Sequence, residues 1–227
     1  MSDHLHKEFP KSCDPKDFWG QVKRTVNGQP ITQEQIDLIV DAICNGLIFN
    51  KADNLLDIGC GNGALSVLFF SKLNTLVGID FSEYLISVAK ENFEKRPNYT
   101  FHFGDAYEFI INYPGRDQIT KALCYGVFSY FEQEKAEKTL SYLCKEYKNL
   151  TRVCIGNLPD KERVDKFFYK DIDYKILLHD PKSSIGIWRS KDEMRKLATN
   201  CGWKIEFQQM PENFYSAHYR YDVILSR

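Results

Sequence analysis

The stretch Leu55-Leu56-Asp57-Ile58-Gly59-Cys60-Gly61-Asn62-Gly63-Ala64-Leu65-Ser66 leaves a chain few folds to choose from. An apolar run of strand character enters three glycines at alternate positions, and a helical pattern follows. Leu76-Val77-Gly78-Ile79-Asp80 then supplies a second apolar strand tipped by a carboxylate. Strand, glycine turn, helix and acid-tipped strand make up the nucleotide-binding half of a doubly wound parallel sheet. Glycine at such a turn lets backbone approach a ligand with no Cβ in the way. The acid at the second strand tip can accept both hydroxyls of a ribose.

The rest of the chain continues the α/β rhythm. Residues 32–48 place Ile36, Ile39, Val40, Ile43 and Leu47 on one helical face. Thr32 and Gln35 there have the spacing of a capping box. Asp17 is a candidate cap for a short helix before them. Strands are predicted at 54–58, 75–80, 99–103, 119–125, 152–156, 203–209 and 220–226. Helices are predicted at 64–72, 83–95 (capped by Ser82), 107–111, 133–147 and 190–200, with Gly202 ending the last. Residues 158–188, aromatic and charged, interrupt the pattern.

The 227 residues, 43% of them apolar and 14% aromatic, suffice for a sizeable core. A net charge of −1 argues against nucleic acid as the main partner. No apolar run reaches membrane-spanning length and residues 1–10 are polar, so no membrane association is expected. The seven cysteines form no C-x-x-C pair, which leaves a zinc or redox motif unsupported; reduced thiols in the cytoplasm are the expectation.

The string Asp57-Ile58-Gly59-Cys60-Gly61-Asn62-Gly63 resembles motif I of the class I S-adenosylmethionine-dependent methyltransferases. Dinucleotide enzymes carry Gly-x-Gly-x-x-Gly instead. The resemblance covers about residues 50–227. It implies a Rossmann-like, seven-stranded, mostly parallel sheet whose last strand is antiparallel. We expect one domain: a helical N-terminal cap over 1–50, a cofactor-binding core over 51–227, and a substrate-side insertion at 158–188. S-adenosylmethionine is the implied cofactor. Asp57, Gly59 and Gly61 belong to its glycine motif, Asp80 would take the ribose hydroxyls, and Phe81 would lie on an adenine face. Gly104-Asp105-Ala106 resembles motif II, where the acid or the next backbone N–H meets the adenine edge; Asp105 also suits a helix cap. Tyr125-Gly126-Val127-Phe128-Ser129 resembles motif IV, near the sulfonium, but carries no acid, which argues against a magnesium enzyme of the catechol type. Trp19 and Arg24 read as a lid, with Arg24 pairing with the methionine carboxylate or standing in solvent.

The acceptor side is less specific. Histidine is the natural base near neutral pH, and His179 and His218 are the candidates, His179 favoured. Tyr130, Tyr169 and Trp188, with Tyr125, are candidate acceptor-pocket residues. Arg163 and Arg189 could meet an anionic group. No metal site is expected. The expected activity is methyl transfer to a small molecule, at oxygen, as in biosynthesis of sugars, polyketides or cell-surface glycans. A protein or RNA methyltransferase and a catalytically inactive S-adenosylmethionine-binding module are the alternatives.

Overall fold

The computed structural model of the protein describes residues 4–168 and 173–227. The chain opens with short helical turns at His4–Glu8 and Phe9–Ser12, then α1 (Phe18–Gln21), a hairpin of β1 (Thr25–Val26) and β2 (Gln29–Pro30), and α2 (Gln33–Leu47). Asp17 caps α1 through the Gly20 N–H at 2.8 Å. The hairpin, absent from the sequence reading, turns on Asn27 (φ 51°) and Gly28 (φ 77°). Two consecutive left-handed residues twist a two-residue loop to match its strands, and Asn-Gly is the preferred pair. The cap over residues 1–50 is therefore only partly helical.

Seven strands form the main sheet: β3 (Asn54–Ile58), β4 (Thr75–Asp80), β5 (Tyr99–Phe103), β6 (Lys121–Tyr125), β7 (Arg152–Pro159), β8 (Lys204–Gln208) and β9 (Arg220–Ser226). Their order is β5-β4-β3-β6-β7-β9-β8, and every pairing is parallel except those of β9. This is the Rossmann-like methyltransferase sheet expected from the motifs. The connections are a 3-10 helix at Ser66–Lys72, α3 (Glu83–Asn92), α4 (Ala106–Asn112), α5 (Gln133–Glu146) and α6 (Lys191–Asn200). Alternate residues of each strand face opposite layers. Leu56 and Ile58 join α5 and α6 on one side, while Leu55 and Leu76 join Ile36, Ile39 and Ile43 of α2 on the other.

Two local expectations change. Thr32 makes no side-chain cap. Gln35 instead donates to Asn213 O at 3.0 Å and accepts from Tyr215 N at 2.8 Å, tying α2 to the β8–β9 connection. Strand β7 runs on to Pro159, past a bulge between Ile155 and Leu158 where Asn157 has φ 64°. That bulge aims Asn157 at the carboxyl edge of the sheet, since bulges redirect side chains.

The N-terminal segment is pinned to the glycine turn. Asn62 Nδ2 donates to Phe18 O at 2.7 Å and to Gln21 Oε1 at 2.9 Å; Gln21 Nε2 in turn donates to Asp14 O and Pro15 O. Both amides are buried. Gln21→Ala leaves the Asn62 amide short of a partner in the interior. The variant is expected to lose about 1–3 kcal/mol in urea unfolding and to be cut faster by protease between residues 10 and 30. Unchanged stability and cleavage would contradict the latch.

Candidate active site

Doubly wound sheets bind ligands beyond the carboxyl ends of their strands, where the strand order reverses. Here the order reverses at β3, with β4 on one side and β6 on the other. A cavity of about 440 Å³ opens at that edge. Its walls come from the strand tips, the segment Trp19 to Arg24, and residues 181–185 of the insertion.

The turn after β3 forms the floor. Gly59 has φ 76° and Gly61 φ 57°. A Cβ on Gly59 would sit 2.4 Å from Val127 Cγ2, and one on Gly61 would sit 3.0 Å from Val22 Cγ1. Asp80 at the tip of β4 holds this turn: Oδ2 accepts from Gly61 N at 2.9 Å, and Oδ1 accepts from Ser82 N at 2.8 Å. Each oxygen keeps a lone pair for a ligand hydroxyl. Burial pushes the Asp80 carboxyl up to about 6, against the pull of those amides.

Arg24 stands opposite. Its guanidinium lies over the rings of Tyr125 (5.0 Å) and Trp19 (5.7 Å). Arg24 Nη1 and the Tyr125 hydroxyl are both enclosed and make no hydrogen bond. Burial lowers the guanidinium's affinity for its proton. Two polar groups left unsatisfied in the interior are costly unless a ligand completes them, and a carboxylate is the complement of an arginine and a phenol. A glycine cradle, a ribose-competent acid and a carboxylate-competent cation are the donor set that the two ends of S-adenosylmethionine require.

Among the residues expected from sequence, Trp19, Arg24, Gly59, Gly61, Asp80, Phe81, Asp105, Ala106, Tyr125 and Tyr130 all line the cavity. Asp105 caps α4 through the N–H groups of Tyr107 (2.9 Å) and Glu108 (3.2 Å) and pairs with Lys135 at 2.5 Å. Tyr130 donates to Ser184 O at 2.8 Å, fastening the insertion over the site.

Asp57 does not reach the cavity. It is buried in β3 and accepts from Ser66 Oγ at 2.6 Å, bracing the turn from behind. Desolvation raises its carboxyl to about 6, with the Ser66 hydrogen bond and Arg24 opposing. A carboxyl held above its unfolded value binds its proton more tightly when folded. Its stabilising contribution is therefore complete below about pH 4 and lost as pH rises through about 6. Asp57→Asn removes that ionisation. Urea unfolding should show the variant about 1–3 kcal/mol more stable than the parent at pH 8, with the gain shrinking by pH 5. A loss of stability at pH 8 would contradict this.

The acceptor-side expectations fare differently. His179 and His218 are exposed and stand outside the cavity walls, so neither is placed to take a proton from a group within. His179 closes the 3-10 turn Leu177–His179, and His218 packs its ring on Tyr219 at 4.8 Å. Trp188 is fully buried with Phe167, Phe168 and Tyr219 in a small satellite core, where an indole fills the insertion's interior. Tyr169 lies outside the described residues. Arg189 is buried and donates to Phe131 O at 2.6 Å, while Arg163 faces Asp160 at 3.6 Å. Among the described residues no group of three His, Cys, Asp or Glu side chains has metal-binding geometry.

Cavity residues that the sequence reading did not assign to the site include His6, Glu132, Lys135, Asn157, Lys182, Tyr215 and Arg220. Arg220 had a usable signal. An antiparallel last strand brings its first residue to the edge where the parallel strands end.

Comparisons with known proteins bear on the fold and on the segment that carries the glycine turn. Residues 55–148 match the methyltransferase domain family. The ribosomal RNA small subunit methyltransferase A of Pseudomonas syringae pv. syringae is 32% identical over 79 residues, 35% of this chain and 30% of that protein. The probable cobalt-precorrin-6B C(15)-methyltransferase (decarboxylating) of Methanococcus vannielii is 32% identical over 90 residues, 39% of this chain and 48% of that protein. The chain thus spans between about a third and a half of the length of these curated relatives. The magnesium protoporphyrin IX methyltransferase from Synechocystis PCC 6803, crystallised with S-adenosylhomocysteine, superposes with a TM-score of 0.58 at 20% identity, covering 86% of this chain and 83% of that one. Fold and glycine turn define a methyltransferase domain. Over residues 55–148 the chain carries a methyltransferase domain, and its sheet has the fold of S-adenosylmethionine-dependent methyltransferases.

Proposed function

We propose that this protein transfers the methyl group of S-adenosylmethionine to an oxygen of a small-molecule acceptor. The observation that carries this reading is the pairing, across one roofed cavity, of the Asp80 carboxylate with the unsatisfied Arg24 and Tyr125 groups. When bound, the cofactor supplies a methyl group already activated by a positive sulfur.

The chain's own residues then have three tasks. Asp80 takes the ribose hydroxyls, while Phe81 and the Asp105-Ala106 tip frame the adenine. Arg24 and Tyr125 fix the carboxylate end, which sets the direction in which the methyl points. Trp19, Val22 and the insertion exclude water, and alignment plus dehydration are the main levers for a displacement of this kind. The roof over the cavity and the net charge of −1 favour a small acceptor over RNA.

The tip of β6 offers Tyr125-Gly126-Val127 with no carboxylate, so turnover is expected to survive chelator. The test is release of S-adenosylhomocysteine across a panel of small acceptors, with and without chelator. Turnover with RNA but with no small acceptor would overturn the proposal, and activity that chelator abolishes and magnesium restores would overturn its metal-free form.

A further inference from the structure

Arg220, Asn157 and Tyr215 gather hydrogen-bond donors in the wall of the cavity. Arg220 enters it from the first position of β9. Its guanidinium donates to Asn157 O and lies over the Tyr219 ring at 4.9 Å, which holds it in one orientation. Among the described residues no carboxylate forms an ion pair with it. Asp222, the acid nearest along its own strand, is turned to the Asn157 N–H at 2.6 Å.

Asn157 itself is held left-handed at the β7 bulge. Its Nδ2 lies 3.6 Å from where a Cβ on Gly126 would stand, so this amide sits beside the β6 tip. Tyr215 completes the wall, close enough to feel both Arg220 and Arg24.

Two of the three acids that line the cavity are otherwise engaged. Asp80 accepts from two backbone amides, and Asp105 caps α4 and pairs with Lys135. Glu132 stands at the N-terminus of α5, exposed. His6 is the imidazole that reaches the cavity among the described residues, and its ring packs edge-on against Tyr130 at 4.6 Å.

An alcohol acceptor needs a base to take its proton. A carboxylate needs none, and a guanidinium beside an amide is the donor set that orients one. Resting on the methyltransferase reading above, we infer that the acceptor is a small carboxylic acid, held as its carboxylate by Arg220 and Asn157, and that the product is its methyl ester. In the step, a carboxylate oxygen forms the O–CH₃ bond as the S–CH₃ bond breaks. The bonding pair goes to sulfur, leaving neutral S-adenosylhomocysteine sulfur. The negative and positive charges cancel, and no proton moves.

The experiment uses the full chain saturated with S-adenosylhomocysteine. It is titrated with acetate, benzoate, cinnamate and decanoate, and with the alcohols of matching carbon skeleton. At least one acid should bind at least about tenfold more tightly than its alcohol, and Arg220→Gln should erase that preference with the S-adenosylhomocysteine affinity unchanged. With methyl-tritiated S-adenosylmethionine, the product from the preferred acid should release labelled methanol in mild alkali, as an ester does and an ether does not.

Alcohols that bind as well as every acid, or an alkali-stable methyl group, would overturn the inference and hand proton removal to a base such as His6. Arg220→Lys, which keeps the charge without the fork, should fall between wild type and the glutamine variant. Failure of the chain to bind S-adenosylhomocysteine at all would instead defeat the methyltransferase reading.

Discussion

Gly61→Val is expected to abolish S-adenosylmethionine binding while the sheet stays folded. Gly61 has φ 57°, and a branched residue there carries strain of about 1–3 kcal/mol. Its Cβ would lie 3.0 Å from Val22 Cγ1, with the two methyl groups still to be placed. The turn must shift, and it takes with it the Gly61 N–H that sets the Asp80 carboxylate at 2.9 Å. The cavity floor, the Asp80 carboxylate and the segment around Val22 are therefore disturbed by one substitution. Calorimetry should show at least about a hundredfold weaker binding, with a cooperative melt retained. Normal affinity would mean that the ligand does not pass over this turn.

Arg24→Met should divide stability from function. In the ligand-free protein the Arg24 head is enclosed between Trp19 and Tyr125 with Nη1 unsatisfied. Asp57 attracts this buried charge without forming an ion pair with it, so part of the cost of burial remains, and a methionine fills the same aromatic slot without that cost. The ligand-free variant is expected to melt higher, by an amount corresponding to about 1–3 kcal/mol. Affinity for S-adenosylmethionine should fall about a hundredfold, the loss of a charge-assisted, enclosed contact. The opposite signs are the diagnostic. A solvated surface arginine would leave both quantities unchanged, and a purely structural one would lower stability.

The parallel half of the fold was legible because its signals are local. The apolar strands, the glycines at alternate positions and the acids at the strand tips all lie within short windows, and the topology brings those tips to one edge. Asp80 and Gly61 line the cavity at that edge, and Arg24 comes to it from the N-terminal segment. What was missed depends on contacts between distant segments. Gln35 had the spacing of a capping box, yet the backbone of residues 213–215 outcompeted the helix end for its amide. The hairpin at residues 25–30 was within reach of the sequence, since Asn27-Gly28 is a strong turn signal, but two-residue strands leave no periodicity to read. Histidine position along the chain carried no information about the acceptor site. His179 and His218 lie in loops that reach the rim, but their side chains face solvent, while His6 comes in from the N-terminal turns. Trp188 reads as a pocket aromatic by composition and is a core residue by packing, because the insertion must bury an interior of its own.

The central claim is that the cavity at the carboxyl edge of the sheet binds S-adenosylmethionine through Asp80. Calorimetric titration of S-adenosylhomocysteine into the wild-type chain and into Asp80→Ala tests it directly. One site per chain is expected, weakened by about 1–3 kcal/mol in the variant, with circular dichroism unchanged. Absence of binding to the wild-type chain, or equal affinity in the two proteins, would contradict it.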